Sequence, residues 1–290
     1  LLSLNNVIIL LGLTYLLLMI VAGSLYYSNS KKMDNFQIGE KLFDIDEEKN
    51  KRFIWLQTIC PQIGWSECRK PQPNKKNILI VGDSMSIDAV NIISPVFPDY
   101  HYIVDDEFGG CPPHPDIKTL VPDQHPNLVE CINKNKERFD PKNLIDKDLI
   151  IINLLYGWFE PKDLVSYLQF LSENNFNNVI IFSNYISLKK DFYEILVDEK
   201  ATFKSHSTFN DYSDLIDTKF YKQDELSIIA KNFNYSFIST EAYACKKECI
   251  FIINGYPYTW DKFHYSLEFS RFLSNQMSQD LKKIFKNFNL

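Results

Sequence analysis

The chain has 290 residues, 45% hydrophobic and 23% charged, close to ordinary globular usage, which excludes wholesale disorder. Lys and Arg number 31 against 37 Asp and Glu, a formal charge of -6, so no basic excess exists to neutralise phosphates and a dedicated nucleic-acid binder is disfavoured. Aromatic residues reach 14%, with 22 Phe and 16 Tyr, enough for a well-filled core or a sugar-facing cleft.

Residues 7–27 form a run of 21 without a charge. As a helix it spans roughly 30 Å, the thickness of a bilayer's hydrocarbon core, and Tyr26 and Tyr27 stand at one end, where aromatics anchor. A signal peptide would carry a basic leader and a small-residue cleavage site, and a buried core helix would show a polar stripe. Neither is present. Residues 1–27 are therefore expected to be a transmembrane helix and, since the run is already under way at Leu1, the last helix of a larger membrane domain. Residues 28–52 are polar and charged with few apolar anchors, which fits a juxtamembrane linker or a solvated surface helix.

Lys31 and Lys32 would draw the following domain to the cytoplasm. The cysteines point the other way. Six of them fall into three close pairs, Cys60 with Cys68, Cys111 with Cys131 and Cys245 with Cys249. The connectivity rests on nearness in sequence alone, and no His stands near them at zinc-site spacing. Disulfides imply an oxidising compartment, so residues 53–290 are expected to lie outside the cytoplasm as one domain.

Short apolar runs at 78–81, 102–104, 149–155, 179–182 and 237–238 read as strands, several of them covered on both faces. Helical segments lie between, at 88–93 and at 161–170, which opens on a proline. The clearest helix is the last: Phe269, Phe272, Leu273, Met277, Leu281, Ile284 and Phe285 keep helical spacing. Strands alternating with helices predict an α/β fold with a mostly parallel sheet.

The sharpest local feature is ILIVGDSMSIDAV, residues 78–90. A buried strand runs into Gly82-Asp83-Ser84 and then into a helix, and open parallel sheets place their sites beyond such strand ends. Ser84 would sit at a helix N-terminus, where free N–H groups receive developing negative charge; an ordinary Ser cap after a Gly turn would look the same. A nucleophilic Ser needs a base, and the base an orienting carboxylate. His264 lies in TWDKFHYSLEF, three residues after Asp261 and just before the final helix, which Ser266 would cap. His101, His114, His125 and His206 show no partner pattern and read as surface or loop residues.

Taken together, Ser84 after the first strand and Asp-x-x-His before the last helix resemble the SGNH (GDSL-type) hydrolase superfamily, over about residues 76–290. The resemblance implies a three-layer α/β/α flavodoxin-like fold, with Ser84 as nucleophile, Asp261 as orienting acid and His264 as base. Gly109-Gly110-Cys111-Pro112-Pro113, a downstream Cys, and Cys245 and Cys249 ahead of NGYPYTWDKFHYS are similar to the SGNH domain fused to acyltransferase family 3 proteins. There a multi-pass membrane domain precedes the SGNH domain, and its last helix leads to the periplasm.

The resemblance further implies an oxyanion hole from the backbone N–H groups of Ser84 and Gly110. The G-x-N-D block of many members is replaced by Tyr156-Gly157-Trp158; a lost side-chain donor typically costs about 10²–10³ in rate. Trp158 stands where it could stack on a sugar or fill the core. The implied activity is O-acetyl transfer through an acyl-serine to a cell-surface polysaccharide or glycolipid. The acetyl donor, acetyl-CoA, would be supplied through the membrane domain, and no metal or cofactor is called for in this domain. A membrane-anchored carbohydrate O-acetyl esterase and a non-catalytic glycan-binding module are the alternatives.

The cysteine pattern gives a direct test. Thiol counting on the unreduced protein is expected to find no free thiol and, after reduction, all six; six free thiols before reduction would remove both the pairing and the compartment argument.

Overall fold

The computed structural model of the chain describes residues 17–21, 35–38, 41–54, 58, 60, 68–105, 111–120, 127–156, 160–183, 185–198, 207–208, 213–220, 222–245 and 248–290. A hairpin of β1 (Asn35–Ile38) and β2 (Lys41–Asp44) runs into α1 (Ile45–Lys51). The α/β part follows as β3 (Asn77–Gly82), α2 (Ser86–Ile93), β4 (His101–Val104), α3 (Leu128–Arg138), β5 (Leu149–Asn153), α4 (Val165–Glu173) and β6 (Val179–Phe182). Then come β7 (Ser187–Leu188), α5 (Phe192–Asp198), β8 (Ser207–Thr208), β9 (Ile216–Asp217), α6 (Gln223–Asn232), β10 (Ser236–Ile238) and α7 (Thr240–Ala244). The chain finishes with β11 (Ile250–Ile253), β12 (Tyr256–Pro257) and α8 (Leu267–Asn287).

Five strands make a parallel sheet in the order β10-β6-β5-β3-β4. The chain steps from β3 to β4 on one side, then returns past β3 to β5 and continues the other way. That reversal leaves a crevice beyond the carboxyl ends of β3 and β5, the place where open α/β sheets hold ligands. Side chains alternate across the strands. Ile78, Ile80 and Ile151 pack under α2 and α8, whereas Val81, Ile150 and Ile152 pack under α4 and α6. The sheet is thus covered on both faces, as its continuous apolar strands require.

The expected strands and the final helix are found in place. On α8 the residues Phe269, Leu273, Met277, Leu281 and Phe285 are buried against the sheet, and Phe285 stacks on Phe97 with ring centroids 3.9 Å apart. The segment expected at 161–170 begins as a 3-10 turn, Pro161–Leu164, before α4. Disulfides join Cys60 to Cys68, Cys111 to Cys131 and Cys245 to Cys249.

Two readings need correction. Residues 28–52 are more than a linker or a solvated helix, because 35–38 and 41–52 fold onto the domain. Ile38, Phe43 and Ile45 are buried in the core, and the Phe43 ring lies 5.1 Å from those of both Tyr256 and Trp260. Three apolar side chains among many charges are too few to stand out as a pattern, yet they suffice once a partner surface exists. His101 is no surface residue either: it is buried at the start of β4, its Nε2 is 2.9 Å from the Lys70 carbonyl, and burial lowers its pKa.

The uncharged run at 7–27 lies outside the described residues except for 17–21, which are helical and exposed. Among the described residues no helix is long and apolar enough to cross a membrane. Of the other histidines, His125 and His206 also lie outside the described residues.

If the hairpin belongs to the folding unit, Phe43→Ala should lower the free energy of unfolding by about 3–5 kcal/mol, as for other buried rings. Denaturant unfolding would measure it, and a change under about 0.5 kcal/mol, typical of surface sites, would return the segment to linker status.

Candidate active site

Ser84 stands in the turn between β3 and α2, at the mouth of the crevice. Several buried groups fix this turn. Gly82 ends β3 beside Asn153, and a Cβ at Gly82 would lie 2.1 Å from the Asn153 carbonyl oxygen, so only glycine fits this close approach. The Asp83 carboxylate accepts the Met85 N–H at 2.9 Å and the Leu155 N–H at 2.8 Å, tying the ends of β3 and β5 together. Asn153 Nδ2 donates to the Met85 carbonyl at 2.7 Å. The Met85 N–H is therefore taken up by Asp83, whereas the Ser84 N–H has no acceptor among the described residues.

Asp261 and His264 come from the turn between β12 and α8. Asp261 Oδ1 accepts the Thr259 hydroxyl at 3.0 Å and the N–H groups of Phe263 and His264 at 2.8 and 2.9 Å. An Asp that bonds the backbone two and three residues ahead closes a tight turn. That turn explains the D-x-x-H spacing, because it brings the ring of the third residue back over the carboxylate. Asp261 Oδ2 lies 2.6 Å from His264 Nδ1. Ser266 caps α8, accepting the Phe269 N–H and donating to the Pro257 carbonyl at 2.6 Å, so the helix begins three residues after the base.

His264 Nε2 lies 2.7 Å from Ser84 Oγ, across 180 positions of sequence. With Nδ1–H donating to a carboxylate, Nε2 is the acceptor and the Ser84 hydroxyl donates to it. Burial by itself would raise the Asp261 carboxyl. The hydrogen bond and charge of His264, with the N–H groups of Phe263 and His264, outweigh burial and hold the carboxyl well below the usual carboxylate range. The arrangement can remove a proton from Ser84 as it attacks a carbonyl and return that proton to a leaving group.

Two further residues were not singled out from sequence. Arg138, at the end of α3, is buried; its Nε donates to Asp105 at 2.7 Å, and its two Nη groups reach the carbonyls of Cys111, Gly82 and Asp105. It joins the disulfide-bonded Cys111 to the strand that carries Ser84. The inward positions of α3 are Cys131, Asn135 and Arg138, a helical spacing of largely polar residues to which hydrophobic periodicity is blind. Arg52 is the second, and it bonds the Ser84 carbonyl. Gly110, Gly157 and Trp158 lie outside the described residues.

A cavity of about 520 Å³ borders β4 and α3, lined among others by Lys134, Arg138, Lys147 and Tyr167; Ser84, Asp261 and His264 take no part in it. The candidate metal ligands found together among the described residues are Glu241, Cys245 and Cys249. Both sulfurs are joined in a disulfide, so no thiolate is offered there.

The family model for the SGNH domain (fused to AT3 domains) matches residues 52–279. The chain belongs to this SGNH family. No curated protein sequence matches it significantly. Among solved structures, the SGNH chain is similar to the periplasmic domain of the lipopolysaccharide acetyltransferase of Salmonella ser. Paratyphi A. That match has a TM-score of 0.62 at 16% identity and covers 82% of this chain and 97% of that one. A carbohydrate acetylesterase from Sinorhizobium meliloti matches with a TM-score of 0.43 and 12% identity, over 72% of this chain and 100% of that one. An aryl esterase from M. smegmatis gives 0.42 and 13%, over 72% and 99%. At such identities the first likeness is one of fold, and the SGNH assignment rests on the family match.

The depressed Asp261 carboxyl has a consequence for stability. Its folded pKa lies below the unfolded value of about 3.9, so the carboxylate stabilises the fold above that value, and this is lost as pH falls through the folded value. Asp261→Asn should remove the contribution: the gap in Tm between wild type and variant, followed downward from about pH 6, narrows below about pH 4. A gap that stays constant or widens in acid would contradict the assignment.

Proposed function

We propose that this chain is the extracytoplasmic catalytic half of a membrane O-acyltransferase, moving an acetyl group through an acyl-serine to a hydroxyl of a cell-surface polysaccharide or glycolipid. The observation that carries this reading is the unbroken relay from Asp261 through His264 to Ser84, in a chain whose family is described as fused to AT3 domains. A partner membrane domain would deliver the acetyl group from acetyl-CoA. The Salmonella likeness supports a periplasmic setting, and the three disulfides support an oxidising one.

In this mechanism His264 takes the Ser84 proton as Oγ attacks the acyl carbonyl carbon. The Ser84 N–H and, by the family resemblance, that of Gly110 receive the oxyanion. Collapse breaks the bond to the donor's leaving group, which takes the proton back from His264. A sugar hydroxyl, deprotonated by the same imidazole, then attacks the acyl-serine and frees Ser84. Trp158 is assigned to the sugar.

A carbohydrate O-acetyl esterase is the second reading. It is favoured by the completeness of the relay within this one chain, since water in place of the sugar hydroxyl needs no further group. The same relay counts against a non-catalytic binding module, which would have no use for it.

The test is acetyl-ester turnover by the full chain, with and without saccharide acceptors, beside Ser84→Ala and His264→Ala. Loss of either group is expected to lower kcat by up to about 10⁶. Acetylated saccharide as product supports the transferase, and free acetate alone the esterase; turnover that survives both changes would overturn the site.

A further inference from the structure

Arg52 closes a run of charged residues and has no distinction in the sequence, yet it is only 7% exposed. Its Nε donates to Asp88 Oδ1 at 2.7 Å, and an Nη group donates to the carbonyl of Ser84. Asp88, on the first turn of α2, is 0% exposed. Its second oxygen accepts the N–H of Tyr265 at 3.2 Å, the residue after the His264 ring. Asn91 Nδ2 fastens the other end by donating to the Arg52 carbonyl at 2.9 Å. One buried ion pair therefore touches the backbone of the serine turn and the backbone of the histidine turn.

We infer that Arg52 is a positioning residue for the acyl-serine chemistry, holding Ser84 and His264 at hydrogen-bond distance through the Ser84 carbonyl and Asp88. The inference rests on the roles proposed for those two residues. Without the ion pair each turn keeps its own local bonds, Asp83 for one and Asp261 for the other, and α8 still packs against α2, but the buried polar bridge that reaches both backbones is lost. Arg suits the position because its planar fork serves two acceptors in different directions, which the point charge of Lys does not. Burial raises the Asp88 carboxyl and the Arg52 charge opposes that rise, so removing Arg52 alone would strand a buried acid.

The rival account is that the pair only holds the fold together. Replacing a whole buried ion pair by apolar residues is often neutral or stabilising, whereas removing one partner is costly. The test therefore uses the full chain in detergent with the double change Arg52→Met and Asp88→Leu, beside Arg52→Lys, which keeps the charge and loses the fork. Four readouts are taken: Tm, ester turnover with its kcat and KM, the rate at which a fluorophosphonate labels Ser84, and the ¹⁵N resonance of His264 Nε2.

The positioning role predicts a double variant with Tm near wild type, kcat and labelling rate down about 10²-fold, as for a misplacement of about 1 Å, and KM unchanged. It predicts the same pattern for Arg52→Lys and an Nε2 resonance that no longer reports the serine hydrogen bond. A folded double variant that labels at the wild-type rate would overturn the inference, and so would full activity in Arg52→Lys. If the double variant fails to fold, Arg52→Lys decides. A wild type that takes no label would defeat the acyl-serine reading separately, and the Nε2 resonance would still decide whether Arg52 governs the contact.

Discussion

The hydrogen bond between Ser84 and His264 joins two turns that are 180 residues apart in sequence. Such a contact has no local reason to form, because closing so long a loop costs entropy that one hydrogen bond does not offset. The sheet brings the two turns to the same end, and buried polar groups then set each one. On the serine side these are the close passage of Gly82 under Asn153 and the two bonds accepted by Asp83. On the histidine side they are the three donors gathered by Asp261 and the Ser266 cap of α8.

Among the described residues, this end of the molecule carries a concentration of buried charge. Arg52 meets Asp88 on one face of the sheet, and Arg138 meets Asp105 on the other. Both arginines also bond main-chain carbonyls of the serine segment, at Ser84 and Gly82 respectively. Buried ion pairs contribute little net stability, but they define geometry where several hydrogen bonds converge. The apolar cores beneath α8 and α4 carry the stability, which leaves the polar groups free to specify where the turns sit.

Much of the sheet was legible in the sequence because its strands are unbroken apolar runs of Ile, Val and Leu, and α8 because its buried stripe repeats with helical period. The relay was legible for a different reason. Gly-Asp-Ser and Asp-x-x-His are each short motifs of sequence neighbours, and it was their resemblance to those of the SGNH superfamily that marked the three residues out. What escaped was whatever depended on distant partners. The β1–β2 hairpin and the start of α1 bury three apolar side chains in a charged setting and look like a linker until Tyr256 and Trp260 are placed against Phe43. The inner face of α3 consists of Cys131, Asn135 and Arg138, each satisfied by groups outside the helix. Arg52 and His101 look like any exposed charge or loop histidine, since burial of a polar side chain leaves no trace in the pattern of its neighbours.

Each disulfide joins a cysteine to the next one along the chain, with separations of 8, 20 and 4 residues. The order of appearance is therefore also the order of pairing. A chain delivered amino end first into an oxidising compartment presents Cys60 and Cys68 before the second pair arrives, and that pair before the third. An oxidase that simply couples thiols as they emerge makes the native set, and no wrong bond has to be undone. Disulfide reshuffling, which holds up the maturation of many exported proteins for seconds to hours, has no required step here. The cross-links can be in place before β3 and α8 have met.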